Sequence, residues 1–236
     1  MTVHAPPRLR LATPVLVVSP HLDDAVMSCG ALIAAHPGTV VATVFAGRPP
    51  AGTPPTEWDR ASGFGPGDDI VGHRRREDRR ALRQLGAEPV WLRFRDAQYR
   101  DDHDGPRDLD EVADAIVSVI DAYGAATVVT PLGLFHDDHR DTRAACLRAR
   151  SRTGDVAWLA YAESPYRALD GEVERALDEL RDVGIEPHPA PPVPVDRERK
   201  ERAVTCYASQ LRALDTPGRP GHDDALRAEE YWWLTR

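Results

Sequence analysis

The tightest constraint on the fold is an alternation of short apolar runs with helical stripes. Val15 to Pro20 is a continuous apolar run closed by a proline, as a strand buried on both faces would read. Asp23 to His36 follows as a helix, with Ala25, Cys29, Leu32, Ile33 and His36 on one face and Pro37-Gly38 as its stop. Val40–Ala46, Pro89–Phe94, Thr127–Leu132 and Val156–Ala162 read as further strands. Between them, Arg74–Leu85 is helical and ends at Gly86, a residue favoured just past a helix. Leu109, Val112, Ala113, Ile116, Val117 and Ile120 form a second helical stripe, and His139–Arg150 a third. Such alternation predicts a Rossmann-like α/β fold: a mostly parallel sheet with helices on both faces, joined by right-handed crossovers.

Two stretches interrupt the pattern. Residues 48–72 are rich in glycine and proline and too long for an ordinary connection. They read either as a loop covering a ligand, with Trp58 or Phe64 stacking on it, or as a mobile surface segment. Residues 187–194 are proline-rich and follow a helix carrying Val173, Ala176, Leu177, Leu180 and Val183. A last helix is expected from about Asp196, with Ala203, Val204, Tyr207, Leu211 and Leu214 inward. Trp232 and Trp233 are adjacent and cannot share a face, so one is expected in the core. With no internal repeat and no linker, residues 1–236 read as a single domain.

Composition narrows the function. Hydrophobic residues at 42% and charged residues at 29% are ordinary soluble usage, and no apolar run reaches the roughly 18 residues of a membrane span. Met1 to Pro14 has arginines but no apolar block behind them, which argues against a secretory signal. Cys29, Cys146 and Cys206 contain no CxxC and fit a reducing cytoplasm. Thirty basic against 38 acidic residues, a net charge of -8, count against nucleic acid or an anionic membrane as partner. Oligomeric state is not readable.

Ligands of open parallel sheets sit at the carboxyl ends of the strands. The first strand ends in Pro20-His21-Leu22-Asp23-Asp24, and the fourth leads into His136-Asp137-Asp138-His139. Both polar clusters therefore fall on one sheet edge. His21 and Asp24 are three apart at a strand-to-helix turn, and His136 and His139 have the same spacing. Three nitrogen or oxygen ligands with a fourth position open for water is the pattern of a catalytic zinc site, and the lack of cysteine argues against a closed structural one. Taken singly, Asp23 or Asp24 reads equally as a helix cap, and 136–139 as a solvated loop; their coincidence on one edge favours the metal. His4, His36, His73, His103, His188 and His222 lack partner spacing and read as surface or satisfied residues.

The ordered motifs resemble the PIG-L/LmbE-like zinc-dependent N-deacetylases, which remove acetyl groups from N-acetylglucosamine-type sugars. The signature Pro-His-x-Asp-Asp is met at Pro20–Asp24 and His-x-Asp-His at 136–139. Between them, Arg74, Glu77, Ala81, Leu85 and Gly86 match a family helix, and Asp96 an aspartate after the next strand. Tyr161-Ala-Glu163-Ser-Pro-Tyr166 and Tyr207-Ala-Ser-Gln210 are similar to its later segments, so the likeness spans about residues 15–212. Ala25 stands where the family usually has glutamate, and Asp137 where it usually has proline. Neither replaces an implied ligand, and the first departure also marks branches acting on antibiotic-type glycosides.

The resemblance implies His21, Asp24 and His139 as zinc ligands, with Fe2+ or another divalent ion also suited to such donors. It implies Asp23 as general base, and a protonated His136, oriented by Asp138, assisting the oxyanion or the departing amine. Arg74 and Asp96 would contact sugar hydroxyls; as plain structure they would be a surface ion pair and a turn residue. The partner implied is a small-molecule amino sugar or glycoside, in secondary-metabolite biosynthesis. Two alternatives stay open: an amidase of a larger sugar-thiol conjugate, and a non-catalytic glycoside-binding relative.

Overall fold

The computed structural model describes residues 9–236; His4 and the first eight residues of the Met1–Pro14 stretch lie outside the described residues. Its sheet runs β3 (Glu88–Trp91), β2 (Val40–Thr43), β1 (Val15–Ser19), β4 (Thr127–Pro131), β5 (Ala157–Tyr161), β7 (Tyr231–Thr235) and β6 (Glu186–Pro189). The first five pair in parallel, while β7 is antiparallel to both of its neighbours. The order 3-2-1-4-5 reverses direction between β1 and β4, and that reversal opens a crevice at their carboxyl ends.

Strand side chains alternate between two cores. Leu16, Val18, Val128, Trp158 and Trp232 face α4 (Leu109–Tyr123), α5 (Asp137–Arg150) and α6 (Glu172–Asp182). Val15, Val17, Val129, Leu159 and Tyr231 face α1 (Asp24–Ala35), α3 (Ile70–Leu85), α7 (Arg197–Val204) and α8 (Ala208–Leu214). Trp232 is buried in the first core, while Trp233 packs partly buried against the second, as period two requires. Helix α1 is buried from Asp24 to Ile33 rather than on one face alone, because α3 and α7 both pack on it.

Several boundaries differ from the sequence reading. Helix α3 starts at Ile70, four residues before Arg74, because Asp69 caps it by accepting from Gly72 N; Gly86 closes it in the left-handed region at φ 72. The 48–72 stretch also holds a short helix, α2 (Glu57–Ala61), capped by Thr56 and Asp59. The proline-rich passage contains β6, an outermost strand, where a residue without N–H is tolerated. The last expected helix is two: α7 ends at Val204, and buried Tyr207 starts α8 with its hydroxyl on Asp78 Oδ1 at 2.8 Å. No helix among the described residues is long and apolar enough to cross a membrane.

Candidate active site

The turn after β1 builds the first half of the site. Ser19 Oγ donates to the His21 carbonyl at 2.6 Å and accepts from Ala25 N at 3.0 Å, bracing the chain as it enters α1. Asp24 Oδ2 accepts from His21 N at 2.8 Å. Asp23 occupies the cap position of α1 without using its side chain there, so the plain capping role does not hold for it. Its carboxyl lines the crevice instead.

The second half comes from the start of α5, which begins at Asp137 rather than His139. His136 is its cap residue: the Asp138 N–H donates to His136 Nδ1 at 3.1 Å. That bond requires a lone pair on Nδ1, so the imidazole proton resides on Nε2. Burial and the neighbouring His21 and His139 push the His136 pKa down as well. His136 is left with Nε2 as the ring nitrogen outside that bond.

The two halves meet at one oxygen. Asp24 Oδ2 lies 3.2 Å from His21 Nδ1 and 3.2 Å from His139 Nε2, and donor atoms of the three residues all fall within 4.8 Å of one another. Bonds of about 2.0–2.1 Å to a tetrahedral ion would set its ligand atoms about 3.3 Å apart, so this donor set fits a divalent metal. The surroundings draw positive charge to the same spot. Burial opposes charge on His139, yet Asp24 and Glu163 raise its pKa to about 9. Burial likewise opposes charge on His21, which Asp96, Asp138 and Asp24 hold well above its ordinary value.

Carboxylates orient both imidazoles from behind, as is usual for metal-binding histidines. His139 Nδ1 is 3.3 Å from Glu163 Oε1. Glu163, at the end of β5 and fully buried, also accepts from the backbone N–H groups of Leu132, Gly133 and Leu134 at 3.0, 2.7 and 2.9 Å. His21 Nε2 is 2.9 Å from Asp138 Oδ2, which also accepts from Ala97 N at 2.9 Å, while Arg107 holds Oδ1. The Asp138 carboxylate therefore hydrogen-bonds His21, while its backbone N–H meets His136. His21, Arg107 and the Ala97 N–H hold the Asp138 carboxyl below its ordinary value against burial. Arg107 lies in turn over the Phe45 ring, 4.0 Å from its centroid.

The remaining sequence candidates join the same crevice. Arg74 is only 6% exposed, with Nη1 at 3.7 Å from Asp96 Oδ2 and Nη2 at 4.0 Å from Asp23 Oδ1. It is no surface ion pair, and its buried Nε has no hydrogen-bond partner among the described residues. Asp96 is the turn residue the sequence allowed, capping 97–99 through Gln98 N, and it also lines the crevice. Burial and the charge of Asp24 push the Asp23 carboxyl up to about 6, with Arg74 and His21 pulling against them. Together these residues floor a cavity of about 420 Å³, which Trp58, Phe135, Tyr166, Leu214, Arg219 and Pro220 wall above. Trp58 reaches it with its indole N–H on Gln210 Oε1 at 2.9 Å; Phe64 instead packs edge-on against His73. The other histidines are satisfied or peripheral: His36 Nδ1 meets the Leu32 carbonyl, His188 Thr235 and His222 Asp215, and His103 is exposed.

Sequence reasoning gave Glu163 no role and passed over Arg107. Glu163 carried a signal, since it follows β5 on the same sheet edge as His21 and His139. Arg107 carried none, for nothing in Gly105-Pro106-Arg107 marks it.

A metal-ready pair of imidazoles with a carboxylate, beside a second acidic carboxyl on a Rossmann-like sheet edge, defines a hydrolase-type centre. The chain belongs to the PIG-L family of GlcNAc-PI de-N-acetylases, whose description matches residues 16–150. It is 33% identical over 215 residues to the 2'-N-acetylparomamine deacetylase of Streptomyces fradiae, covering 83% of this chain and 72% of that protein. Among solved structures it is similar to a triple mutant of a deacetylase of the teicoplanin biosynthetic pathway, at 33% identity and TM-score 0.80, over 95% of this chain and 98% of that one. The zinc-inhibited form of teicoplanin deacetylase is 30% identical, with TM-score 0.80 over 94% and 98% of the two chains.

Proposed function

We propose that this protein is a metal-dependent N-deacetylase that hydrolyses the acetamide of an N-acetylglucosamine-type sugar carried on a glycoside. One observation carries the reading: His21 Nδ1 and His139 Nε2 each lie 3.2 Å from one Asp24 oxygen, directly beside the buried Asp23 carboxyl. The relatives named above are deacetylases of antibiotic sugars, which supports an acetylated amino sugar as substrate and biosynthesis of a secondary metabolite as context. His21, Asp24 and His139 would hold the metal, and zinc is the ion their nitrogen and oxygen donors suit best. Once bound there, a divalent ion supplies Lewis-acid polarisation of the acetyl carbonyl and lowers the pKa of attacking water.

The chain's own residues account for the rest of the work. Asp23, raised to about 6 by burial and Asp24, is poised to take a proton from attacking water and pass it to the departing amine. His136 Nε2 would donate to the developing oxyanion while Nδ1 accepts from the Asp138 N–H. Asp138 and Glu163 keep the two ligand imidazoles in the right tautomer and orientation. The unpartnered Arg74 Nε and the Asp96 carboxylate offer a donor and an acceptor to sugar hydroxyls. All these groups belong to one sheet edge, which supports a single catalytic unit. Three free thiols and the lack of an apolar spanning helix among the described residues support a cytoplasmic setting.

The test is acetate release from a panel of acetylated sugars by metal-stripped and zinc-restored protein. Release that depends on restored metal is expected. Equal release from stripped protein, or none from any N-acetylated sugar, would refute the reading.

A further inference from the structure

Helix α3 turns its acids inward and its arginines outward. Of its two carboxylates, Glu77 accepts from Ser209 N and Oγ at 2.9 and 2.5 Å. Asp78 accepts from the Trp91 indole and the Tyr207 hydroxyl at 2.7 and 2.8 Å. Both acids are 1% exposed. The outer face is left to Arg76, Arg79, Arg80 and Arg83, all exposed. Their spacing puts the guanidiniums on one side of the helix, over roughly 10 Å of its length.

On the other face of the sheet, surface arginines are matched: Arg148 and Arg152 meet Asp110 and Asp114, and Arg181 meets Asp178. In the α3 row only Arg76 has a carboxylate near it, Asp69 at 3.9 Å, which Arg48 already holds. Among the described residues no ion pair reaches Arg79, Arg80 or Arg83. In a chain with 38 acidic against 30 basic residues, composition alone would not leave such a row unmatched.

The row also borders a fixed aromatic surface. Arg75 grips the Ala46 carbonyl through Nε and Nη2 at 3.2 and 2.7 Å, and its guanidinium lies 5.2 Å from the Trp91 ring centroid. Arg79 lies 4.7 Å from the same ring, whose indole N–H is held by Asp78. Trp91 comes from β3, the outer strand of the sheet, with β2 on one side and no strand on the other. Charge on an edge strand guards it against stray pairing. Pro89 already removes an N–H from this edge, and arginines on the neighbouring helix add little to that guard.

We propose that the outer face of α3, with Trp91 beside it, is a docking site for an acidic helix of a partner protein. Charge complementarity selects the occupant. Carboxylates one turn apart on a helix repeat at the spacing of these arginines, and guanidiniums bind carboxylates through paired hydrogen bonds. A second copy of this chain is disfavoured, because a two-fold contact would set arginines against arginines. A long polyanion is disfavoured too, because the net charge of -8 repels the length lying beyond the row. None of the four arginines lines the catalytic crevice, so the proposal stands or falls independently of the deacetylase reading.

The test is calorimetric titration of the full chain with an alanine-rich helical peptide of about 20 residues bearing glutamates one turn apart. Comparison ligands are the same peptide with glutamines, a DNA duplex of about 12 base pairs and phosphatidylserine vesicles. At roughly 0.05 M salt the glutamate peptide is expected to bind about tenfold more tightly than any of these, and to weaken as salt rises. Arg79→Gln, Arg80→Gln and Arg83→Gln combined should lower its affinity about tenfold with Tm unchanged, since glutamine suits a helix. If the combined variant has a lowered Tm, Arg83→Gln alone is read instead, with about a twofold loss expected. Glutamate and glutamine peptides that bind alike, tighter binding of the duplex or the vesicles, or an affinity that the folded variant leaves intact would each overturn the proposal.

Discussion

Replacing Glu163 by glutamine should weaken the fold and the metal site together. The carboxylate accepts four bonds: Gly133 N, Leu134 N and the His139 ring on Oε1, and Leu132 N on Oε2. An amide can keep its oxygen at the Oε1 position, but its NH2 then confronts the Leu132 N–H, two donors face to face in a fully buried place. One such unsatisfied pair costs about 1–3 kcal/mol. For a domain of this size that corresponds to a Tm lower by roughly 2–12 °C. The loss of negative charge behind His139 should also weaken metal binding by about 10–100-fold. Glu163→Ala would orphan three backbone donors, about 3–9 kcal/mol, which approaches the whole stability of an ordinary domain. Calorimetric unfolding of metal-free protein reads the first effect, and competition with a chromophoric chelator reads the second. A glutamine variant with unchanged Tm and unchanged metal affinity would show that Glu163 does not hold this loop and ligand.

Three other substitutions separate chemistry from stability. Asp23→Asn should retain its metal and lose about 10²–10⁴ in turnover; full turnover in a metal-loaded variant would remove Asp23 as the base. In the unaltered enzyme, the acid limb of the rate should fall at or below about 6, the value to which burial and Asp24 raise this carboxyl. Burial pushes Asp78 up to about 7 against the hydrogen bonds from Trp91 and Tyr207. A carboxyl raised by folding stabilises most below about pH 4 and loses that contribution as pH rises through about 7, up to about 4 kcal/mol. Denaturant titrations across that window should therefore show a flatter profile for Asp78→Asn, and parallel profiles would contradict the shift. Lys200 Nζ meets Glu229 Oε1 at 2.6 Å with both side chains buried, so Lys200→Met should cost about 3–5 kcal/mol, or ~6–20 °C in Tm, in thermal unfolding; an unchanged Tm would mean the pair is not buried as described.

The sheet was legible because its strands are buried on both faces and read as unbroken apolar runs, as in Val15–Val18 and Val128–Val129. The elements that escaped were those whose signals are set by tertiary placement. Strand β6 carries Pro187 and Pro189, which only an edge position permits, and the α7–α8 break appears only because Tyr207 turns inward to Asp78. The candidate site was legible where two short motifs end strands on one edge. What those motifs could not convey is which carboxylate serves which ring. Asp138 lies next to His139 and two residues from His136 in sequence, yet its side chain reaches His21, because the first turn of α5 points it across the crevice toward β1. The same turn places a backbone N–H on His136 Nδ1. Glu163 and Arg107 act from β5 and from the approach to α4, at distances along the chain that no motif spacing encodes.

Metal content after exhaustive dialysis, measured side by side for the unaltered protein and Asp24→Ala, tests most directly whether the turn after β1 and the start of α5 grip one ion. One divalent ion per chain is expected in the first and essentially none in the second. A full equivalent retained by Asp24→Ala would place the metal elsewhere and contradict the account.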